Sequence, residues 1–185
     1  DSTYLNVGNR VSNNRVERLT IDGAATVAQS AAYMLEYSRS SSFLGNVLID
    51  AISAIPASRM SIGMTVENDV VDAKLNSNVV GKFPNHLEAG ILAHGAAIKN
   101  LSVMGNRIEA QNTGFDGGDP TARLCATTPN AALTGWRIER NTIEVAVNQV
   151  AALALSAPGA LVISNTTRGG VQSLYLTLQA GRTRA

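Results

Sequence analysis

Asparagine recurs along this chain at long, nearly regular intervals, each time in the same setting. Asn14 stands in Ser-Asn-Asn-Arg-Val, Asn46 in Leu-Gly-Asn-Val-Leu and Asn78 in Asn-Ser-Asn-Val-Val. Asn106 follows in Met-Gly-Asn-Arg-Ile, Asn141 in Glu-Arg-Asn-Thr-Ile and Asn165 in Ile-Ser-Asn-Thr-Thr, with spacings of 32, 32, 28, 35 and 24 residues. Three residues before these positions lie Val11, Phe43, Leu75, Val103, Ile138 and Val162; two residues after them lie Val16, Leu48, Val80, Ile108, Ile143 and Thr167. Eleven of these twelve are large and apolar, whereas Val, Leu, Ile, Met and Phe make up only 51 of the 185 residues. An interval of this size with a fixed apolar frame means one supersecondary unit stacked on its own copies.

A second apolar line recurs upstream of the asparagines. Ala32–Leu35, Ser61–Met64, Gly90–Ala93 and Ala152–Leu155 read as short strands, with Arg123–Ala126 as a weaker copy. From Tyr33 through Ile62, Ile91, Leu124 and Leu153 the steps are 29, 29, 33 and 29 residues. Each unit thus reads strand, turn, strand, Gly/Ser/Asn corner, strand. A short strand with one apolar face is unstable alone, and stacked coils bury that face while pairing each strand with its copy one coil away. The expectation is an all-β parallel solenoid of about six coils, roughly 30 Å long at about 4.8 Å per coil. Asn suits the corner because it tolerates the left-handed region and bonds nearby backbone, and stacked amides can bond one another. A β-sandwich is also rich in Asn and Gly at its turns, but those turns recur every ~8–12 residues and need no Asn at intervals near thirty. Gly23 to Tyr37, with five Ala, is open between a short helix and a loop-bearing coil.

Composition narrows the class. Fifteen Lys and Arg against fourteen Asp and Glu leave a net charge of +1, too little to recruit nucleic acid or an anionic membrane. Hydrophobic residues at 45% exclude disorder, and no apolar run reaches the ~18 residues of a membrane span. Cys125 is the single cysteine, so neither an intrachain disulfide nor a cysteine-rich zinc site is available. The 185 residues are expected to form one β-helix domain. Apolar alternation begins at once with Tyr4, Leu5 and Val7 and returns at Leu174, Leu176 and Leu178. With no initiator Met and no signal-peptide pattern, the chain is expected to be a piece of a longer protein.

The runs Ile98-Lys99-Asn100-Leu101-Ser102-Val103-Met104-Gly105-Asn106-Arg107-Ile108 and Trp136-Arg137-Ile138-Glu139-Arg140-Asn141-Thr142-Ile143 resemble the right-handed parallel β-helix repeat proteins, the pectate-lyase-like group. Weaker copies cover Val11 to Val16, Phe43 to Ile49 and Leu161 to Thr167. The resemblance implies the fold over most of the chain. It does not select an activity, because that superfamily holds polysaccharide lyases, hydrolases, epimerases, phage tail spikes and proteins without demonstrated chemistry.

Three places could carry chemistry. The segment from Gln111 to Arg123 interrupts the repeat where the Asn spacing stretches, and it reads as a loop leaving the coil. Within it, Asp116 and Asp119 could hold calcium or act as an acid/base pair, with Arg123 meeting a sugar carboxylate; an Asp/Gly/Pro turn accounts for the same residues. His94-Gly95 resembles the His-Gly element of polygalacturonase-type hydrolases. Ala93, however, stands where that family has Gly, and Asp69 and Asp72 are split by Val70-Val71. Arg107 and Arg137 could form a basic stripe that binds an acidic glycan, although Glu109 and Glu139 beside them suit ion pairs between coils. Trp136 is expected to point inward. Asn100 and Asn165 begin glycosylation-type triplets that lie within strands or corners, and no cofactor motif is present.

The reading that follows is a structural or glycan- or partner-binding segment of a larger extracellular, cell-surface or virion-associated protein, without catalysis of its own. Its partners would be the rest of the chain or neighbouring subunits. The alternative is a polysaccharide lyase or glycoside hydrolase acting on an acidic glycan through Asp116, Asp119 and Arg123, with His94 as a further candidate. A third possibility is a trimeric, tail-spike-like assembly, in which a neighbour would cover outward Val47, Val79 and Leu92.

Overall fold

The structure, a computed structural model, describes residues 6–18, 20–21, 29–49, 52–53, 60–82, 87–118, 132–146 and 151–176. Its described elements are all β-strands, and every pairing between them is parallel. Three long sheets run the length of the stack. The first contains Asn6–Val7, Gln29–Arg39, Met60–Val71, Ala89–Lys99, Thr113–Gly118, Ala151–Leu155 and Gln172–Leu176. The second contains Arg10–Ser12, Ser42–Leu44, Lys74–Asn76, Ser102–Met104, Arg137–Glu139 and Leu161–Ile163. The third contains Arg15–Glu17, Val47–Ile49, Val79–Val80, Arg107–Ala110, Thr142–Val145 and Thr166–Arg168. A small fourth sheet pairs Thr20–Ile21 with Ile52–Ser53. The chain is therefore a parallel β-solenoid.

The second and third sheets follow directly from the Asn frame. Val11, Phe43, Leu75, Val103, Ile138 and Val162 are register partners in the second sheet, and Val16, Leu48, Val80, Ile108, Ile143 and Thr167 in the third. Each three-residue strand thus sends its central side chain inward, where one apolar cluster runs through the stack. Trp136 is inward as expected: its Nε1 donates to Ile98 O at 2.9 Å and its ring meets Phe115 edge-on at 6.3 Å.

The corner between these sheets works differently from the expectation. The left-handed residue is the one before each ladder asparagine: Asn13, Gly45, Ser77, Gly105, Arg140 and Ser164 all have φ between 52° and 63°. That residue turns the chain, which frees the next side chain to face along the stack. A second left-handed column, Gly8, Ser40, Asp72, Asn100 and Gly135, marks the corner between the first and second sheets.

The asparagine side chains then form a continuous ladder inside the wall. Asn78 Oδ1 accepts from the backbone N–H of Asn46 at 2.9 Å and from its Nδ2 at 3.2 Å, and Asn78 in turn donates to Asn106 Oδ1 at 2.8 and 3.0 Å. The other hydrogen of each Nδ2 goes back one coil to a main-chain carbonyl: Asn46 to Val11, Asn78 to Phe43, Asn106 to Leu75, Asn141 to Val103 and Asn165 to Ile138. Asn46, Asn78, Asn106 and Asn141 are buried with both amide hydrogens and both oxygen lone pairs used. A buried polar column of this kind is stable because no donor or acceptor is orphaned.

The first sheet departs from the expected strands. The open segment before Tyr37 becomes strand from Gln29 onward, and residues 22–28 lie outside the described set. The segment from Gln111 to Arg123 is no simple loop: Thr113–Gly118 is a buried strand paired with Ala89–Lys99 on one side and Ala151–Leu155 on the other. It takes the place expected for Arg123–Ala126, which lies outside the described residues. Phe115 supplies the apolar residue there, opposite both Ile91 and Leu153.

Register in the first sheet is also shifted by two residues. Tyr33 and Ile91 both pair with Met64 rather than Ile62. A two-residue slip leaves every side chain on its own face, so apolar alternation alone does not distinguish the two registers. Close packing across the core accompanies this register. A Cβ on Gly63, Gly90 or Gly114 would overlap the side chains of Val80, Ile108 or Ile143 in the third sheet. It would also come within 2.7–2.8 Å of the next strand's carbonyl oxygen. Glycine is required at these three positions by the approach of the two walls.

Candidate functional site

The first sheet gathers most of the polar groups that could act together. Ile91 and Ala93 face the main core, so Leu92 and His94 belong to the opposite face. On that face Leu92 is flanked by Thr65 and Asp116, and His94 by Glu67 and Gly118; Glu67 is in turn opposite Glu36. His94 Nε2 lies 3.0 Å from Glu67 Oε1, and both side chains are mostly shielded, with 16% and 13% of their surface exposed. Thr65 Oγ1 donates to the same Glu67 oxygen at 3.0 Å, and Asn68 Nδ2 donates to Glu36 Oε1.

Burial raises the Glu67 carboxyl, but the His94 hydrogen bond and charge and the Thr65 hydroxyl outweigh it. The net effect holds Glu67 below the usual carboxylate range. Chemically, this arrangement is an ionised carboxylate clamping an imidazole at a strand bulge, since the register shifts between His94 and Ala97.

Asp116 shares this face but is only 3% exposed, in the middle of a strand, and is itself engaged in an interaction. Asp119 and Arg123 lie outside the described residues, so neither the expected acid/base pair nor the calcium pair with Asp116 is placed. Among the described residues, no group of three or more His, Cys, Asp and Glu is arranged to hold a metal ion.

Arg107 and Arg137 fall in different sheets, on opposite sides of the asparagine corner. Arg107 has Val79 and Thr142 as register neighbours, and Arg137 has Ser102 and Leu161. The expected stripe is therefore split. The expected ion pairs between coils are also replaced by pairs within a strand: Arg107 with Glu109 at 2.7 Å, Arg137 with Glu139, and Arg15 with Glu17. An Arg-x-Glu step puts both side chains on one face two residues apart, where the guanidinium reaches the carboxylate without leaving its own coil. The Arg137 hydrogen bond, opposed by some desolvation, holds Glu139 below the usual carboxylate range. A groove of about 200 Å³ on the outside of the third sheet is lined by Arg107, Glu109, Thr142, Glu144, Thr166 and Arg168.

Glu67, Thr65 and Glu36 were absent from the sequence-based candidates. The polar run Glu67-Asn68-Asp69 after an apolar strand was visible, but the expected step of 29 residues set Thr65 opposite His94. The observed step of 27 brings Glu67 there instead.

Of the residues expected to face outward, Val47 and Val79 are half-buried, while Leu92 is buried in a small cluster with Ile62 and Ala89. No described helix is long and apolar enough to cross a membrane. Comparison with family models, with curated proteins and with solved structures finds no match to this chain.

Proposed function

We propose that this chain is a rod-forming segment of a larger surface, secreted or virion-associated protein. In this reading it is a right-handed coil of the pectate-lyase-like kind, presenting a glycan- or partner-binding face and carrying out no catalysis. The observation that supports it is the asparagine ladder, which commits the buried amides of Asn46, Asn78, Asn106 and Asn141 to holding the wall together. Two charged pairs of the outer walls are likewise engaged, Arg107 with Glu109 and His94 with Glu67. The groove beside Arg107 and Arg168 has the mixed charge and hydroxyl lining suited to a sugar or a polar protein surface.

The test offers the purified chain acidic and neutral polysaccharides, with and without calcium, and measures retention by affinity electrophoresis alongside new reducing ends and unsaturated uronate products. Retention without cleavage, weakened by Arg107→Ala, is the expected result. Cleavage abolished by His94→Ala or Asp116→Asn would overturn the reading in favour of a polysaccharide lyase or hydrolase.

A further inference from the structure

Arg137 does not share a row with Arg107, but it has other basic partners. In each three-residue strand of the second sheet the central residue faces the core, so the first and third residues form two outward rows. Register pairing orders the first row as Arg10, Ser42, Lys74, Ser102 and Arg137, before Leu161 in the sixth coil. A cation thus recurs at every second coil, with serine on the coil between. Two coils at about 4.8 Å each set neighbouring cations about 10 Å apart.

The second row alternates with the same period. Ser12, Asn76 and Glu139 stand on the cation coils, and aliphatic Leu44 and Met104 stand on the serine coils. Arg10, Lys74 and Arg137 are exposed, while Ser42, Leu44, Ser102 and Met104 are half-buried. Among the described residues, Arg10 and Lys74 have no ion pair, and Arg137 shares its charge with Glu139 of its own strand. Glu139 is the one carboxylate in the two rows. Two coils of this face therefore form a unit: a cation beside a polar residue, then a hydroxyl beside an aliphatic side chain.

A row of cations at fixed spacing selects a polyanion by the spacing of its charges. Nucleic acid is too dense, with one phosphate per about 3.4 Å along each strand of a duplex. An extended chain of β-linked pyranose rings advances by about one two-coil step per pair of sugars. An acidic sugar then meets each cation, and the neutral sugar between them lies over Ser102 and Met104, its hydroxyls on the serine and its C–H face on the thioether.

We infer that the outer face of the second sheet binds a linear polysaccharide with one carboxylate or sulfate per disaccharide, laid along the stack. This face lies across the asparagine corner from the groove beside Arg107, and the inference does not rest on that groove.

Fluorescence anisotropy with a labelled hexasaccharide alternating glucuronate and N-acetylglucosamine, whose three carboxylates match the three cations, tests this. Saturable binding that weakens with added salt is expected. Lys74→Ser should raise the Kd by at least about tenfold. The decisive variant exchanges the two residues, Lys74→Ser with Ser102→Lys: net charge is kept, but the two-coil spacing is lost. It too should bind at least about tenfold more weakly. No binding at low salt, or an affinity unchanged by the exchange, would overturn the inference. So would equal affinity for a galacturonate hexasaccharide, which carries a carboxylate on every sugar. Loss on Arg107→Ala but not on the exchange would return the ligand to the third-sheet groove, overturning this inference while leaving the reading above in place. Circular dichroism of each variant separates lost binding from lost folding.

Discussion

The second and third sheets and the first sheet solve one problem, the lateral stacking of parallel strands, by different means. In the second and third sheets the strands are short, all but Thr166–Arg168 place at least one apolar residue inward, and a left-handed residue plus an asparagine resets the register every coil. In the first sheet the strands reach eleven and twelve residues, bulges shift the register, and a column of three glycines lets the wall approach the core. The lesson is that a repeated polar corner enforces regular register, whereas the wall opposite the corner is free to vary. The variable wall is where Glu67 meets His94, with Asp116 on the same face.

Breaking the ladder in its middle should have the largest effect. Asn106→Ala removes the acceptor of the Asn78 N–H and Nδ2, takes the Nδ2 donor from the Leu75 carbonyl, and leaves Asn141 Oδ1 with only the residue-106 N–H of its two donors. A loss of about 3–5 kcal/mol in chemical denaturation is expected. Asn14→Ala, at the end of the same ladder, removes only donors and should cost less than about 1 kcal/mol. Equal losses at the two positions would show that the ladder is not the stabilising element.

Second in size is the glycine column. Gly114→Ala forces a methyl against Ile143 and the Ala152 carbonyl, and a loss of about 1–3 kcal/mol in the same assay is expected. A neutral outcome would mean that the first sheet can move away from the core.

The third prediction concerns pH. The folded-state pKa of Glu67 is depressed, so the unfolded chain binds more protons at acid pH. Its contribution is therefore present above the unfolded carboxylate range and is lost as pH falls through the lower folded value. Glu67→Gln should flatten that acid limb in melting temperatures measured against pH, and an unchanged limb would remove Glu67 as its source.

The smallest effect is expected at the surface pair of Arg15 and Glu17, both well exposed, where Arg15→Ala should change stability by less than about 0.5 kcal/mol. A larger loss would mean that this end of the stack depends on its charges.

What could be read from the amino-acid order was whatever repeats in register with the chain. The spacings of 32, 32, 28, 35 and 24 residues between asparagines equal the sequence separations of the ladder hydrogen bonds. The inward columns of the second and third sheets were equally legible, because a fixed offset from Asn fixes the face on which a side chain falls. The first sheet was harder. Thr113–Gly118 reads as turn-rich because of its three glycines, yet it is a buried strand, and Gly114 is there because Ile143 leaves no room for a side chain.

The parallel solenoid and its asparagine spine were thus determined by the sequence itself, since each coil carries the same short local code. The glycine column and the two-residue slip that pairs Glu67 with His94 were decided only by tertiary structure. They depend on how closely two walls approach and on which of two face-preserving registers the packing selects. Residues far apart in the chain set both, with no periodic signal in either one alone.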